Sequence, residues 1–200
     1  MDWIRIIDFA GIVLGILYLW LEYRANIWLW AVGVIMPIVH GYLYYARGLY
    51  ADFGMEAYYV VVAIYGYVMW RRKSSEEPVA IPRHDKPSGI THIPVKWVAP
   101  AVAAMATLWA GIWWILVTFT DSSVPVADAF TTALSMVAMW ALAHKWAEQW
   151  LMWLVVDAVS TVLYVKKQIP FTASLYGFYT VAAVAGYVRW CRQARLQDAS

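Results

Sequence analysis

Three tryptophans and a carboxylate recur at helical spacing in the second half of the chain. Trp146, Trp150, Trp153 and Asp157 share one face of a predicted helix. The segment is apolar enough to cross a membrane. Asp157 would then lie near the bilayer centre, where a charged side chain costs about 2.5–3.5 kcal/mol on insertion scales. Aromatic rings beside a carboxylate attract a flat, positively charged ligand. This face is therefore the first candidate for a substrate site.

Each of these tryptophans is explained about as well by packing against a neighbouring helix. Asp157 is different, because a carboxylate at that depth favours a functional role over a simple hydrogen bond to a hydroxyl or backbone group. Gln149 lies beside the same face and could supply amide hydrogen bonds to a ligand.

Further polar candidates lie on other predicted helices. Asn26 stands at the start of the second helix, where it would either bind substrate or cap the helix, since asparagine is a preferred N-cap. Tyr176 and Tyr179 share a face of the last helix, and Tyr59 occupies the matching position of an earlier helix. These tyrosines could line the same cavity.

Composition places these residues in an all-α integral membrane protein. Hydrophobic residues make up 63% of the chain and charged residues 14%, against about 45–50% and about 25% in soluble domains. The 200 residues accommodate seven spans of about 20 residues each and no separate soluble domain. The predicted helices cover residues 3–22, 27–46, 50–70, 95–118, 126–144, 146–165 and 171–190.

A polar segment at residues 71–94, rich in proline, serine and charge, predicts a flexible cytoplasmic linker. The single membrane domain, residues 1–200, would then consist of a first triple-helix repeat at 1–70, a connecting helix at 95–118 and a second triple-helix repeat at 126–192.

The distribution of Lys and Arg predicts the orientation of the chain. With the N-terminus outside, the inner loops and tail hold eleven basic residues, whereas the outer side holds four, namely Arg5, Arg47, Lys166 and Lys167. Cytoplasmic loops carry the excess of positive charge in membrane proteins. The N-terminus is therefore expected outside and the C-terminus inside.

An ungapped shift of 120 residues aligns the two triplets. Residues 66–70 and 186–190 both begin Gly-Tyr-Val and end in Trp, and Trp30 falls on Trp150. Chance similarity between aromatic-rich helices is the competing explanation, but the matching ends favour true repetition. A single linking helix gives both triplets the same orientation, which is a parallel-repeat architecture known in transporters.

The sequence lacks the motifs that are typical of several reaction classes. The chain has no Walker-type phosphate loop, no His-Glu-x-x-His motif and a single cysteine, Cys191. Neither ATP hydrolysis by a P-loop nor a cysteine-based zinc site is expected. No paired acid and base or activated nucleophile supports a membrane enzyme, and no cofactor or metal is predicted.

Over residues 9–192 the chain resembles the PnuC family of bacterial vitamin transporters. The resemblance is carried by residues 20–30, 50–52 with 58–59, 64–67 with Trp70, 148–153 and 175–177. The Trp-x-x-Trp motif of the family's substrate site matches Trp150 and Trp153. Residues 22–37 and 50–59 are also similar to the thiamine-associated branch.

This resemblance implies a 3+1+3 helix bundle similar to SWEET transporters, in the bacterial inner membrane. It implies facilitated diffusion, without ion or ATP coupling, of a cationic aromatic vitamin precursor that a cytosolic kinase traps by phosphorylation. Nicotinamide riboside is the favoured substrate, and thiamine and riboflavin are carried by other branches. A homo-oligomer, such as a trimer, is also implied. The competing hypothesis is a vitamin-binding membrane subunit that requires a separate energising partner.

A division of roles among the site residues follows from this hypothesis. Trp150 and Trp153 are expected to sandwich the substrate ring. Gln149 and Asn26 would hydrogen-bond its polar groups, and Asp157 would offset its positive charge.

Overall fold

The computed structural model of the chain describes residues 2–46, 50–75, 89–122, 124–166, 168 and 170–198. Arg47 and Lys167, used in the orientation argument, lie outside these residues, as does the middle of the predicted linker, residues 76–88.

Seven α-helices occupy the described part of the chain. They are α1 Asp2–Tyr23, α2 Trp28–Ala46, α3 Tyr50–Ser75, α4 Val95–Phe119, α5 Pro125–Ala143, α6 Gln149–Lys166 and α7 Pro170–Asp198. The order matches the seven predicted helices. The largest differences are at the ends of α3 and α7, which continue to Ser75 rather than residue 70 and to Asp198 rather than residue 190. Both extensions consist largely of good helix formers and contain neither glycine nor proline.

The chain divides into two compact units, Met1–Ser88 and Gly89–Ser200. In the first unit, α2 packs against both α1 and α3. In the second unit, α4 packs against α5, α5 against α6, and α6 against α7. The second helix of each triplet is therefore the one that contacts both of its neighbours in sequence.

Two helices in the described residues are long and apolar enough to cross a membrane, Val95–Phe119 and Pro125–Ala143. Shorter apolar stretches occur at Val13–Tyr23 in α1 and Trp28–Val39 in α2. Within its unit, α4 is exposed along most of its length, whereas half of the α5 segment is buried.

The same turn joins the first two helices of each triplet. Ala25 and Lys145, which are 120 positions apart, both adopt positive φ, 51° and 59°. In the first unit the N–H of Ala25 donates to Glu22 O over 2.8 Å and the N–H of Asn26 donates to Leu21 O over 2.8 Å. This pair of hydrogen bonds around a left-handed residue is the Schellman helix end.

In the second unit the corresponding bonds run from Lys145 N–H to Leu142 O, 2.9 Å, and from Trp146 N–H to Ala141 O, 3.1 Å. Each donor and each acceptor in the second unit lies 120 positions after its counterpart in the first unit. The two turns are therefore equivalent in their backbone hydrogen bonds, as well as in the tryptophan and glycine positions noted in the sequence.

A tryptophan at the start of the second helix packs in the same way in both units. The Trp30 indole lies so close to Gly66 that a Cβ there would overlap the ring, and it meets Trp70 edge-on with centroids 5.5 Å apart at 87°. Trp150 lies against Gly186 and meets Trp190 at 5.9 Å and 86°. Only glycine permits this approach between the helices.

Candidate substrate site

The site is built on α6, which begins at Gln149. From this residue onward Gln149, Trp150, Trp153 and Asp157 lie on one side of the helix, referred to below as the α6 face. Gln149 is 0% exposed, Trp150 1% and Asp157 7%, and Trp153 is half-buried. Four of the predicted site residues thus share one surface inside the second unit.

Trp146 lies outside this face, because the helix starts three residues later than predicted. The positive φ of Lys145 interrupts the helical path and leaves Trp146 in the turn before α6. Its ring centroid is 4.8 Å from those of Trp140 and His144 and 6.5 Å from that of Trp97. Trp146 therefore belongs to an aromatic cluster of the α5–α6 turn.

Four buried polar atoms of the α6 face have no hydrogen-bond partner among the described residues. They are both amide atoms of Gln149, Nε2 and Oε1, and the indole Nε1 atoms of Trp150 and Trp153. Leaving a buried donor or acceptor unsatisfied costs about 1–3 kcal/mol. Gln149 presents a donor and an acceptor side by side, and a ligand group with an adjacent acceptor and donor, such as a carboxamide, matches both.

Trp150 has a packing role in addition to any contact with a ligand. Gly186 packs closely against its indole ring, and Trp190 meets the same ring edge to face. Packing, the competing interpretation of this residue from the sequence, is therefore present in the structure. None of the described glycines has Trp153 among its nearest neighbours, and Trp153 is half-buried whereas Trp150 is buried.

The deeper end of the α6 face lies near tyrosines of α7. Asp157 interacts electrostatically with the phenol of Tyr179. The Tyr179 ring is 6.0 Å from that of Tyr176, which stacks on Tyr164 with centroids 5.2 Å apart and an interplanar angle of 19°. The two α7 tyrosines predicted from sequence thus lie in the same unit as Asp157, and Tyr179 is within electrostatic range of its carboxylate.

Asn26 and Tyr59, the other two candidates, belong to the first unit. The side-chain Oδ1 of Asn26 accepts a hydrogen bond from the N–H of Trp28 over 3.0 Å. Of its two expected roles, capping α2 is the one the structure shows. Tyr59 is half-buried, and its ring lies 5.6 Å from that of Tyr58.

The two repeats agree in their packing residues and differ in the polar positions of the α6 face. The residues 120 positions before Gln149, Trp153 and Asp157 are Leu29, Gly33 and Pro37. None of these three carries a polar side-chain atom or an aromatic ring. The shifted alignment alone could have revealed this contrast, since it separates shared scaffold residues from those found in one repeat only.

The chain matches the model of the nicotinamide mononucleotide transporter family over residues 5–192. The chain belongs to this family. The match confirms the resemblance to PnuC proteins seen in the sequence, and it makes the chain a transporter rather than an enzyme.

Curated relatives in the family include proteins for different vitamins. The nicotinamide riboside transporter PnuC of Escherichia coli strain K12 is 23% identical over 94% of this chain and 86% of its own length. The riboflavin/roseoflavin transporter RibM of Streptomyces davaonensis is 27% identical over 94% of this chain and 85% of its own length.

A solved structure shares the fold. The crystal structure of the vitamin B3 transporter PnuC matches with a TM-score of 0.69 and 24% identity, covering 92% of this chain and 79% of that one. The all-α, seven-helix fold of this chain therefore resembles that of the PnuC crystal structure.

Proposed function

We propose that the protein is a uniporter that carries a cationic aromatic vitamin precursor across the bacterial inner membrane by facilitated diffusion. Nicotinamide riboside is the favoured substrate, and a cytosolic kinase would trap it by phosphorylation without needing physical contact. The observation that carries the proposal is the unpartnered, fully buried amide of Gln149 beside Trp153 and Asp157. The names of the PnuC relatives support the substrate class.

Each residue of the α6 face has a role in this proposal. The ring of the substrate lies between Trp150 and Trp153, where a desolvated cation–π contact is worth about 2 kcal/mol or more. Gln149 hydrogen-bonds a donor–acceptor pair on the ring edge. Asp157 offsets the positive charge.

The remaining predicted residues support the site from its surroundings. Tyr179 lies within electrostatic range of Asp157, and the Tyr176 ring packs against it. Trp146 holds the turn that precedes the α6 face.

The parallel 3+1+3 arrangement, with α4 as the linking helix, gives this site a transport mechanism. The equivalent turns and Trp–Gly contacts of the two triplets support a duplicated rigid unit. Rocking of one triplet against the other around a fixed site would expose the substrate alternately to the two sides. The excess of basic residues on one side supports a cytoplasmic C-terminus.

Thiamine and riboflavin are the alternative substrates. Thiamine also carries a fixed positive charge and would use Asp157, whereas riboflavin does not. The RibM relative shows that a family member of similar length is named for riboflavin. A vitamin-binding subunit that depends on an energising partner is the alternative mechanism.

The test compares the three vitamins on the purified, detergent-solubilised protein. A ligand at 100 times its Kd stabilises the folded state by about 2.7 kcal/mol, which is measurable as a rise in melting temperature. We expect a rise with nicotinamide riboside that exceeds those with thiamine and riboflavin. Flux of the same compound into liposomes containing this protein alone would support uniport, whereas binding without flux would support the partner-dependent subunit. Absence of any shift with all three compounds would overturn the vitamin assignment.

A further inference from the structure

A short segment ahead of α4, residues 89–94, lies across the α5–α6 turn of the second unit. The N–H of Thr91 donates to Lys145 O and the N–H of Ala147 donates to Thr91 O, both over 3.0 Å. Ile90 is 1% exposed. This end of the predicted linker is therefore an ordered strap rather than a flexible loop.

Glu148 fastens the strap with both of its carboxylate oxygens. Oε1 lies 2.7 Å from His92 Nδ1, and Oε2 accepts the N–H of Ile93 over 2.8 Å. Hydrogen bonds to a charged acceptor are shorter and stronger than neutral ones. One side chain of the turn thus binds two consecutive residues of the strap.

The fastened turn leads directly into the α6 face. Gln149 follows Glu148 in the chain, and its N–H donates to Trp146 O over 3.2 Å. The same Trp146 is paired in a parallel bridge with Thr91. The position of the Gln149 amide is therefore coupled to the strap through backbone hydrogen bonds and through the carboxylate beside it.

The first repeat has the same turn but not this fastening. The position equivalent to Glu148 is Trp28, which is 68% exposed and offers no carboxylate. The second repeat, which carries the polar residues of the α6 face, is therefore also the one whose turn is held by an acidic side chain, Glu148.

We propose that Glu148 is a positioning residue for substrate recognition. By clamping the strap to the α5–α6 turn, it sets the position of Gln149 and Trp150 at the start of α6. The inference rests on the proposed function, because the α6 face must bind substrate for its position to matter. Glu148 itself does not contact the substrate.

The experiment measures the affinity for nicotinamide riboside of the full-length protein and of two Glu148 variants. Glu148→Ala removes both hydrogen bonds, and we expect at least a tenfold rise in Kd. Glu148→Gln retains an acceptor for the Ile93 N–H, and we expect most of the affinity to return. Hydrogen–deuterium exchange at residues 89–93 reports separately on whether the strap is released.

Asp128→Ala is the matched control. Asp128 accepts a hydrogen bond of 2.8 Å from the Ser122 hydroxyl near the other end of α5 in the same unit. The Asp128→Ala substitution should lower the melting temperature, because it removes a polar contact. It should leave the Kd for nicotinamide riboside unchanged.

Unchanged affinity in Glu148→Ala with a released strap would overturn the positioning role and leave the proposed function standing. An equal loss of affinity in Asp128→Ala would also overturn it, because the effect would then be one of general stability. A wild-type protein that binds none of the three vitamins would contradict the proposed function itself and this inference with it.

Discussion

Trp30 and Trp150 pack in the same way in the two units of the chain. Each indole rests against a glycine of the third helix and meets a second tryptophan edge-on, at 87° and 86°. The Nε1 atoms of both indoles have no partner among the described residues. The residues around these rings differ, however, because Trp150 is preceded by Gln149 and Trp30 by Leu29. The shared tryptophan is therefore part of the scaffold, and its neighbour distinguishes the two repeats.

Replacing Gln149 by leucine, the residue at the equivalent position of the first repeat, should separate the effect of this side chain on stability from its effect on ligand binding. In Gln149→Leu the two unpartnered amide atoms disappear from a fully buried position. Since each unsatisfied group costs about 1–3 kcal/mol, the ligand-free variant should melt at an equal or higher temperature than the wild type. Its affinity for nicotinamide riboside should fall at least tenfold. A variant that keeps its affinity would exclude Gln149 from the site.

Removing the charge of Asp157 should discriminate between substrates. Asp157→Asn keeps the size of the side chain but cannot offset a fixed positive charge. We expect the Kd of nicotinamide riboside and thiamine to rise at least tenfold, equivalent to about 1.4 kcal/mol, with little change for any riboflavin binding. Thermal-shift titrations with the three compounds provide the measurement. Equal losses for the neutral and charged compounds would argue against a charge-balancing role.

Adding one methyl group at Gly186 should displace the Trp150 ring. A Cβ there would overlap the indole, and overpacking of this kind costs typically about 1–3 kcal/mol. Gly66→Ala is the matched control, because the same overlap with Trp30 occurs in the first repeat. Both variants should lose similar stability, but only Gly186→Ala should also weaken binding in titrations of the folded protein. Equal binding losses would place the effect in the scaffold.

The left-handed turn residue of the first repeat offers a stabilising substitution. Ala25 has φ 51°, a conformation that glycine adopts without the penalty imposed by a Cβ. Ala25→Gly should raise stability by about 0.5–1 kcal/mol, the relief of strain exceeding the added chain entropy. Ala63→Gly, at a buried α3 position with 0% exposure, should instead destabilise by about 1 kcal/mol. Melting temperatures of the two variants, measured in the same detergent, check the opposite signs.

The helices were predictable because hydropathy and aromatic spacing are local signals. The start of α6 was not predicted correctly, since nothing in the side chain of Lys145 signals positive φ. That single backbone angle moved Trp146 from the helical face into the turn. In the other repeat, Asn26 could be identified as a cap candidate because its short polar side chain is well suited to that position.

The sequence could not predict side-chain partners that come together only through tertiary contacts. His92 and Glu148 are 56 residues apart, and no periodic pattern connects a loop histidine with a turn glutamate. The unpartnered state of Gln149 is equally a property of what surrounds it, because an amide on a helix face is ordinarily satisfied by a neighbour. By contrast, the shared face of Gln149, Trp150, Trp153 and Asp157 follows from helical geometry alone.

The contrast between the α6 face and its counterpart, Leu29, Gly33 and Pro37, has an evolutionary consequence. The Trp–Gly contacts are common to both units, so the packing of each unit leaves neighbouring positions of its second helix free to differ in what they recognise. Under the proposed function, a lineage can then exchange one vitamin for another through substitutions on α6 without rebuilding either triplet. Relatives of similar length named for nicotinamide riboside and for riboflavin are the outcome expected from such divergence.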